Sequence, residues 1–202
     1  FNPRHLHVGQ LILNEPRFEL KNLPGRPDST TLTQFLAAVR RLTGPSDSTK
    51  SAPFDFRVDA IGLRNGHFVL EKADEPRQPS YGRSVDYAHM QVDSIYADVS
   101  HLQFGDTLAV QIQGLRAVET PSQTHLRELT ARVLYNQHFW SFDGLRLAVG
   151  RSQITNYLRF DYRTFGNFSD FNDSMKVTTR LRGAQIFSDD VAKFAPALAT
   201  LK

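Results

Sequence analysis

Two histidines, His5 and His7, stand one residue apart, so on a strand both imidazoles share a face. That spacing suits a metal clip, but no Asp, Glu or third His is placed nearby to complete a ligand set. The other histidines, at 67, 89, 101, 125 and 138, are scattered singly and read as surface or rim residues. Ser, His and Asp are all present for a nucleophilic triad, yet no Gly-x-Ser-x-Gly elbow occurs. There is no phosphate-binding glycine loop and no His-Glu-x-x-His helix. Asp189-Asp190 is a carboxylate pair, and the start of a short helix accounts for it. Phe139-Trp140-Ser141-Phe142 places aromatics on both faces of a strand, which fits either a surface that meets lipid or a partner, or a strand buried on both sides. The expectation is a protein without a catalytic centre, a cofactor or a metal.

The elements that would position these residues are mostly strands. The chain has 202 residues, 15 Phe, 6 Tyr and no Cys, which favours sheet and removes both disulfides and a Cys-ligated zinc. Lys plus Arg is 24 against 21 Asp plus Glu, without a basic run, so nucleic-acid binding is not expected. No apolar run reaches the roughly 20 residues that cross a bilayer. Residue 1 is Phe, which suggests a processed chain or an excised fragment.

The organising stretch is Phe54–Leu70. Phe54, Phe56, Val58 and Ala60 alternate with polar residues, and Ile61 and Leu63 take up the opposite parity, which predicts a bulge at Ala60-Ile61. Asn65-Gly66 predicts a tight hairpin turn, with Phe68 and Leu70 beyond it. An earlier stretch repeats this layout. Val8 aligns with Val58, Leu11 with Ile61, Leu13 with Leu63, Phe18 with Phe68 and Leu20 with Leu70, always 50 residues apart. A weak third copy starts at Val92-Asp93-Ser94-Ile95.

Between the two copies, Leu32, Phe35, Leu36, Val39 and Leu42 fall at helical spacing, so an amphipathic helix is predicted over 31–42 as an insertion packed on the sheet. From Val85 on, strands are predicted over 85–94, 95–104, 107–115, 116–120, 126–135, 139–147, 152–162 and 175–181. Gly105-Asp106 and Gly114 serve as turns, and 165–173 is an aromatic loop. Ser188 caps a final helical turn over 189–194 that Pro196 ends. The whole, residues 1–202, reads as one unit.

Strand units such as Val58–Phe68, Leu126–Ala131 and Leu145–Ser152, followed by the tail Ser188–Pro196, resemble the TamB branch of the AsmA-like proteins of bacteria with two membranes. The resemblance, to the Bacteroidota type, covers nearly the whole chain and rests on the order of its pieces. It implies an elongated, curved, taco-like antiparallel β-sheet with an apolar interior, in a periplasmic protein anchored in the inner membrane. It also implies carriage of phospholipid toward the outer membrane, with an outer-membrane barrel as a partner of some members. The membrane anchor and the barrel-engaging domain of that family have no counterpart in this chain, which then corresponds to an internal segment of the N-terminal half. The residues expected to line a groove for phospholipid acyl chains are Leu11, Leu13, Phe18, Leu20, Phe54, Phe56, Val58, Ile61, Leu63, Phe68 and Leu70, then Val110, Ile112, Leu145, Leu147 and Leu158. Which strand parity faces inward is left open by the sequence. The same features fit a β-module that binds a protein by pairing along its strand edge.

Overall fold

The computed structural model describes residues 5–23, 26–30, 55–103, 107–136, 138–162 and 175–196. The predicted helix over 31–42, Phe54, the Gly105-Asp106 turn and the 165–173 loop lie outside them. The strands are β1 (His5–Asn14), β2 (Arg17–Leu23), β3 (Arg26–Thr30), β4 (Asp55–Glu71), β5 (His89–Gln103), β6 (Leu108–Glu119), β7 (Thr124–Tyr135), β8 (Phe139–Val149), β9 (Ser152–Tyr162) and β10 (Met175–Leu181). One helix, α1 (Ser188–Phe194), follows. The strands form a single curved, unclosed sheet in the order β10-β9-β8-β7-β6-β5-β4-β2-β3, with β1 also on β4. The expected all-β, taco-like architecture is the one observed.

The pairing departs from the expected pattern in one respect. From β4 to β10 every neighbour is antiparallel, but β1 and β2 both pair parallel to β4. Val8 lies beside Val58, Leu11 beside Ile61, Leu13 beside Leu63, Phe18 beside Phe68 and Leu20 beside Leu70. The 50-residue repeat is therefore a stack of two parallel copies in register. The 92–95 stretch is not a third copy, because β5 runs antiparallel to β4.

The hairpin predicted at Asn65-Gly66 does not form; β4 runs unbroken from Asp55 to Glu71. Asn65 does adopt the left-handed conformation (φ 55°), but as a bulge residue. The pairing of β4 with β5 stays in step through Ala60 and Ile61, and shifts between Leu63 and Gly66 and again before Phe68. The bulge thus falls four residues later than expected. The predicted breaks at 94–95 and 115–116 are likewise bends inside single strands, β5 and β6. Turn chemistry and bulge chemistry both call for positive φ, so the residue types alone do not separate them. Every step from β4 to β9 contains a register shift near mid-strand, and Ser94, Gly144 and Asn156 have positive φ in that band. Such shifts bend strands and raise their twist, which curls the sheet around one face.

Candidate functional site: the apolar trough and its tail

Residues directly opposite in neighbouring strands share a face, so the registers trace continuous rows across the sheet. One row runs Leu13, Leu63, Ala97, Leu115, Leu129, Leu147, Ile154, an apolar residue on each of seven strands. A second runs Leu11, Ile61, Val99, Ile112, Ala131. Towards one lip lie Phe18, Phe68 and Val92, then Leu20, Leu70 and Met90. Towards the other, Val110, Val133, Phe142 and Leu158 line up. Among the described residues, Ala131, Val133 and Leu145 form a buried cluster, with Val110, Ile112, Leu147, Ile154 and Leu158 against it.

The groove residues expected from sequence are thus largely brought to one face. Leu145 is buried; Leu13, Leu20, Ile61, Leu63, Phe68, Leu70, Val110, Ile112, Leu147 and Leu158 are half-buried; Leu11 and Phe18, on the outermost parallel strands, are exposed. Val58 is buried but lies on the parity of Ala60 and Gly62, opposite Ile61 and Leu63, because β4 has no bulge between them. Phe56 lies in β4 opposite Leu6. In the aromatic cluster, Trp140 and Phe142 share the trough face and meet edge to face at 6.1 Å between ring centroids, and Phe142 meets Phe160 at 6.4 Å. Phe139 points the other way, under the Arg159 guanidinium at 4.0 Å.

The reverse of the sheet is polar. Arg64 Nη2 donates to Asp98 Oδ1 at 2.6 Å and the Arg116 guanidinium lies 4.4 Å over the Tyr96 ring. The trough face has a polar pair of its own at one end, where His7 faces Asp59 at 2.8 Å on the parity of Leu11 and Ile61. Among the described residues no group of three or more His, Asp or Glu is placed to hold a metal.

One lip of the trough is covered by the tail. Ile186, Val191 and Phe194 face Leu126, Leu129, Leu147 and Ile154 across a cavity of about 420 Å³. Several attachments hold the tail there. Val85 N donates to Lys193 O at 2.7 Å, Gln153 and Gln185 exchange backbone hydrogen bonds, and Lys193 Nζ donates to the Gln123 carbonyl at 3.0 Å. The central one is Asp190. Its Oδ2 accepts from Arg151 N and Ser152 N, both at 2.8 Å, and from Ser152 Oγ at 2.7 Å. Burial alone would raise its pKa; the hydrogen bonds from Ser152 and Arg151 and the Arg151 charge outweigh it and hold the carboxyl below the ordinary aspartate range. Gly150, at φ 53°, leaves the space the carboxylate occupies: a Cβ there would sit 2.0 Å from Asp190 Oδ1.

Asp189 and Asp190 stand in the first turn of α1 as the sequence predicts, but Ser188 is not the helix cap. Instead Phe187 is the N-cap and makes no side-chain capping bond, while Asp189 pairs with Arg151 at 3.1 Å. The long-range partner of Asp190 left no local signal beyond the Gly150-Arg151-Ser152 turn. Two further buried acids went unnoticed. Asp86 accepts from Gln78 N and Ala88 N, both at 3.0 Å, and faces His89 Nδ1 at 3.1 Å. Glu119 lies in the cavity wall.

Comparison with family models, characterised proteins and solved structures yields no match to this chain.

Proposed function

We propose that this chain is a segment of a TamB-like periplasmic protein that carries phospholipid acyl chains along its trough between inner and outer membranes. In this reading the parent protein is anchored in the inner membrane, and an outer-membrane barrel would be engaged by regions beyond this chain. The observation that carries the proposal is the row from Leu13 to Ile154, an apolar path over seven consecutive strands. A phospholipid in water exposes about 30 methylenes at roughly 0.8 kcal/mol each, a cost above about 20 kcal/mol. A trough with no interruption removes much of that cost at every position along it. Movement then needs no specific hydrogen bond to the chain and no chemical step, so the activity is binding and passage and not catalysis.

The test is photo-crosslinking in living cells from Leu63 and Leu147, against Gly62 and Arg146 on the opposite parity, followed by lipid extraction and mass spectrometry. Phospholipid adducts at the first pair and not at the second support the proposal. Equal labelling on both faces, or protein adducts alone, overturns it. Leu63→Arg, which puts a hydrated charge in the path, should stop passage while circular dichroism stays unchanged.

A second reading, a scaffold that pairs with a client strand, is favoured by β10. It ends the sheet order, and its Val177 and Leu181 are exposed. If Thr179→Pro in β10 abolishes function while Leu63→Arg is silent, the scaffold reading replaces the conduit.

A further inference from the structure

The tail spans the trough without filling it. It is held at successive points along one lip. Asp190 grips the β8–β9 turn and Lys193 the β6–β7 turn. Ahead of β5, Val85 N donates to Lys193 O, and Tyr87 Oη donates to Phe194 O at 3.1 Å. Ile186 faces the cavity yet is 55 % exposed, and Phe194 is exposed as well. A permanent core packs closely, because an open apolar space forfeits contacts on both of its walls. Here about 420 Å³ stays open between α1 and the sheet. The helix is also weak by itself: seven residues with no side-chain cap do not hold a helical shape in water without packing.

Taking the trough as an acyl-chain path, as proposed above, we infer that residues 185–194 form a strap that opens to admit the chain sideways and then closes over it. Opening separates Asp190 from the β8–β9 turn, Lys193 from the β6–β7 turn, and Gln185 from Gln153. Those groups lie at the rim, where water can replace the lost hydrogen bonds, so their separation costs little net free energy. The apolar contacts that α1 gives up on Leu126, Leu147 and Ile154 are restored by the entering chain. The space left beneath the closed strap is then the part of the path that the chain occupies. Without opening, a chain reaches that space only lengthwise, from the side of β2 and β4, where Phe18 is exposed.

The chain has no cysteine, so a single crosslink can be introduced cleanly. Gln153 and Gln185 exchange backbone hydrogen bonds of 2.7 and 2.9 Å, and both residues are exposed. Such a pair holds its Cα atoms about 5.5 Å apart, within the span of a disulfide. The oxidised Gln153→Cys/Gln185→Cys protein is locked shut, and the same protein after reduction is its control. Stopped-flow fluorescence follows the entry of cis-parinaric acid, a long-chain fatty acid that brightens in apolar surroundings. The locked form should take it up about tenfold or more slowly than the reduced form, and Asp190→Ala about tenfold faster than the unaltered chain. Equal rates in the locked and reduced forms overturn the strap and leave the trough reading standing, because the chain then enters lengthwise. No uptake by any form, Asp190→Ala included, overturns the trough reading and the strap with it. Should the double variant fail to fold by circular dichroism, Asp190→Ala decides: an unchanged uptake rate overturns the strap.

Discussion

Asp190 Oδ2 accepts a hydrogen bond from Ser152 Oγ at 2.7 Å, and through this contact the last helix is fixed to the first residue of β9. The same oxygen takes two backbone N–H groups, so one carboxylate satisfies most of the β8–β9 turn.

Asp190→Ala should release the tail. It leaves Arg151 N and Ser152 N without their acceptor, a cost of about 1–3 kcal/mol. Urea denaturation reads the loss, and amide exchange should quicken in 185–194 while the Ala131–Val133–Leu145 cluster stays protected.

Gly150→Ala should mimic that variant from the other side. The added methyl would meet the Asp190 carboxylate, and the positive φ adds about 1–2 kcal/mol for a residue with a Cβ. The double variant with Asp190→Ala should be less destabilised than the two single effects combined, because the steric conflict then disappears.

Stability should fall in acid. Asp86 is held low by the N–H groups of Gln78 and Ala88 and by His89, which outweigh the opposing effect of burial; Asp93 is held low chiefly by His67 and Thr120; Asp190 is held low as described. Each has a lower pKa folded than unfolded. Their contribution is fully present above the ordinary aspartate value of 3.8 and is lost as pH falls through the depressed folded values. Asp190→Asn should flatten the dependence of the urea midpoint on pH below that value; an unchanged slope would contradict the assignment.

Leu145→Ala should be among the most damaging changes in the trough. Leu145 is 2 % exposed at the centre of the packed cluster, and truncation of such a leucine costs about 2–5 kcal/mol. The same truncation at Leu11, 39 % exposed on β1, should cost well under half as much. Thermal denaturation of the two variants side by side measures the contrast.

The sheet was legible in the sequence because alternation survives wherever one face is apolar, as from Ile61 to Leu63 or from Leu145 to Leu147. Strand ends were less so. Asn65-Gly66 and Gly114 carry the residue types of a turn, and whether the chain reverses there is settled by β5 and β6 continuing alongside, which no local pattern records. The repeat between Val8–Leu20 and Val58–Leu70 was visible, but its meaning was not: equal spacing is compatible with hairpins and with stacking, and the parallel register alone distinguishes them. Glu119 was not legible as a buried acid, because a lone acid near the end of an alternating strand reads as solvent-facing, and its burial at 6 % exposure leaves no local pattern.

The parallel pairing of β1 and β2 has a kinetic consequence. From β4 to β9 each strand pairs with its successor in the chain, so that part can assemble by short loop closures. β1 and β2 instead meet β4 at positions 50 residues further on, and closing that loop is entropically slower. During synthesis they leave the ribosome first and find their partner only after β4 has followed. Assembly order therefore runs against synthesis order, and Leu11, Ile12 and Phe18 wait in water for an edge that does not yet exist. That interval, more than the finished sheet, is when the chain is most open to mispairing.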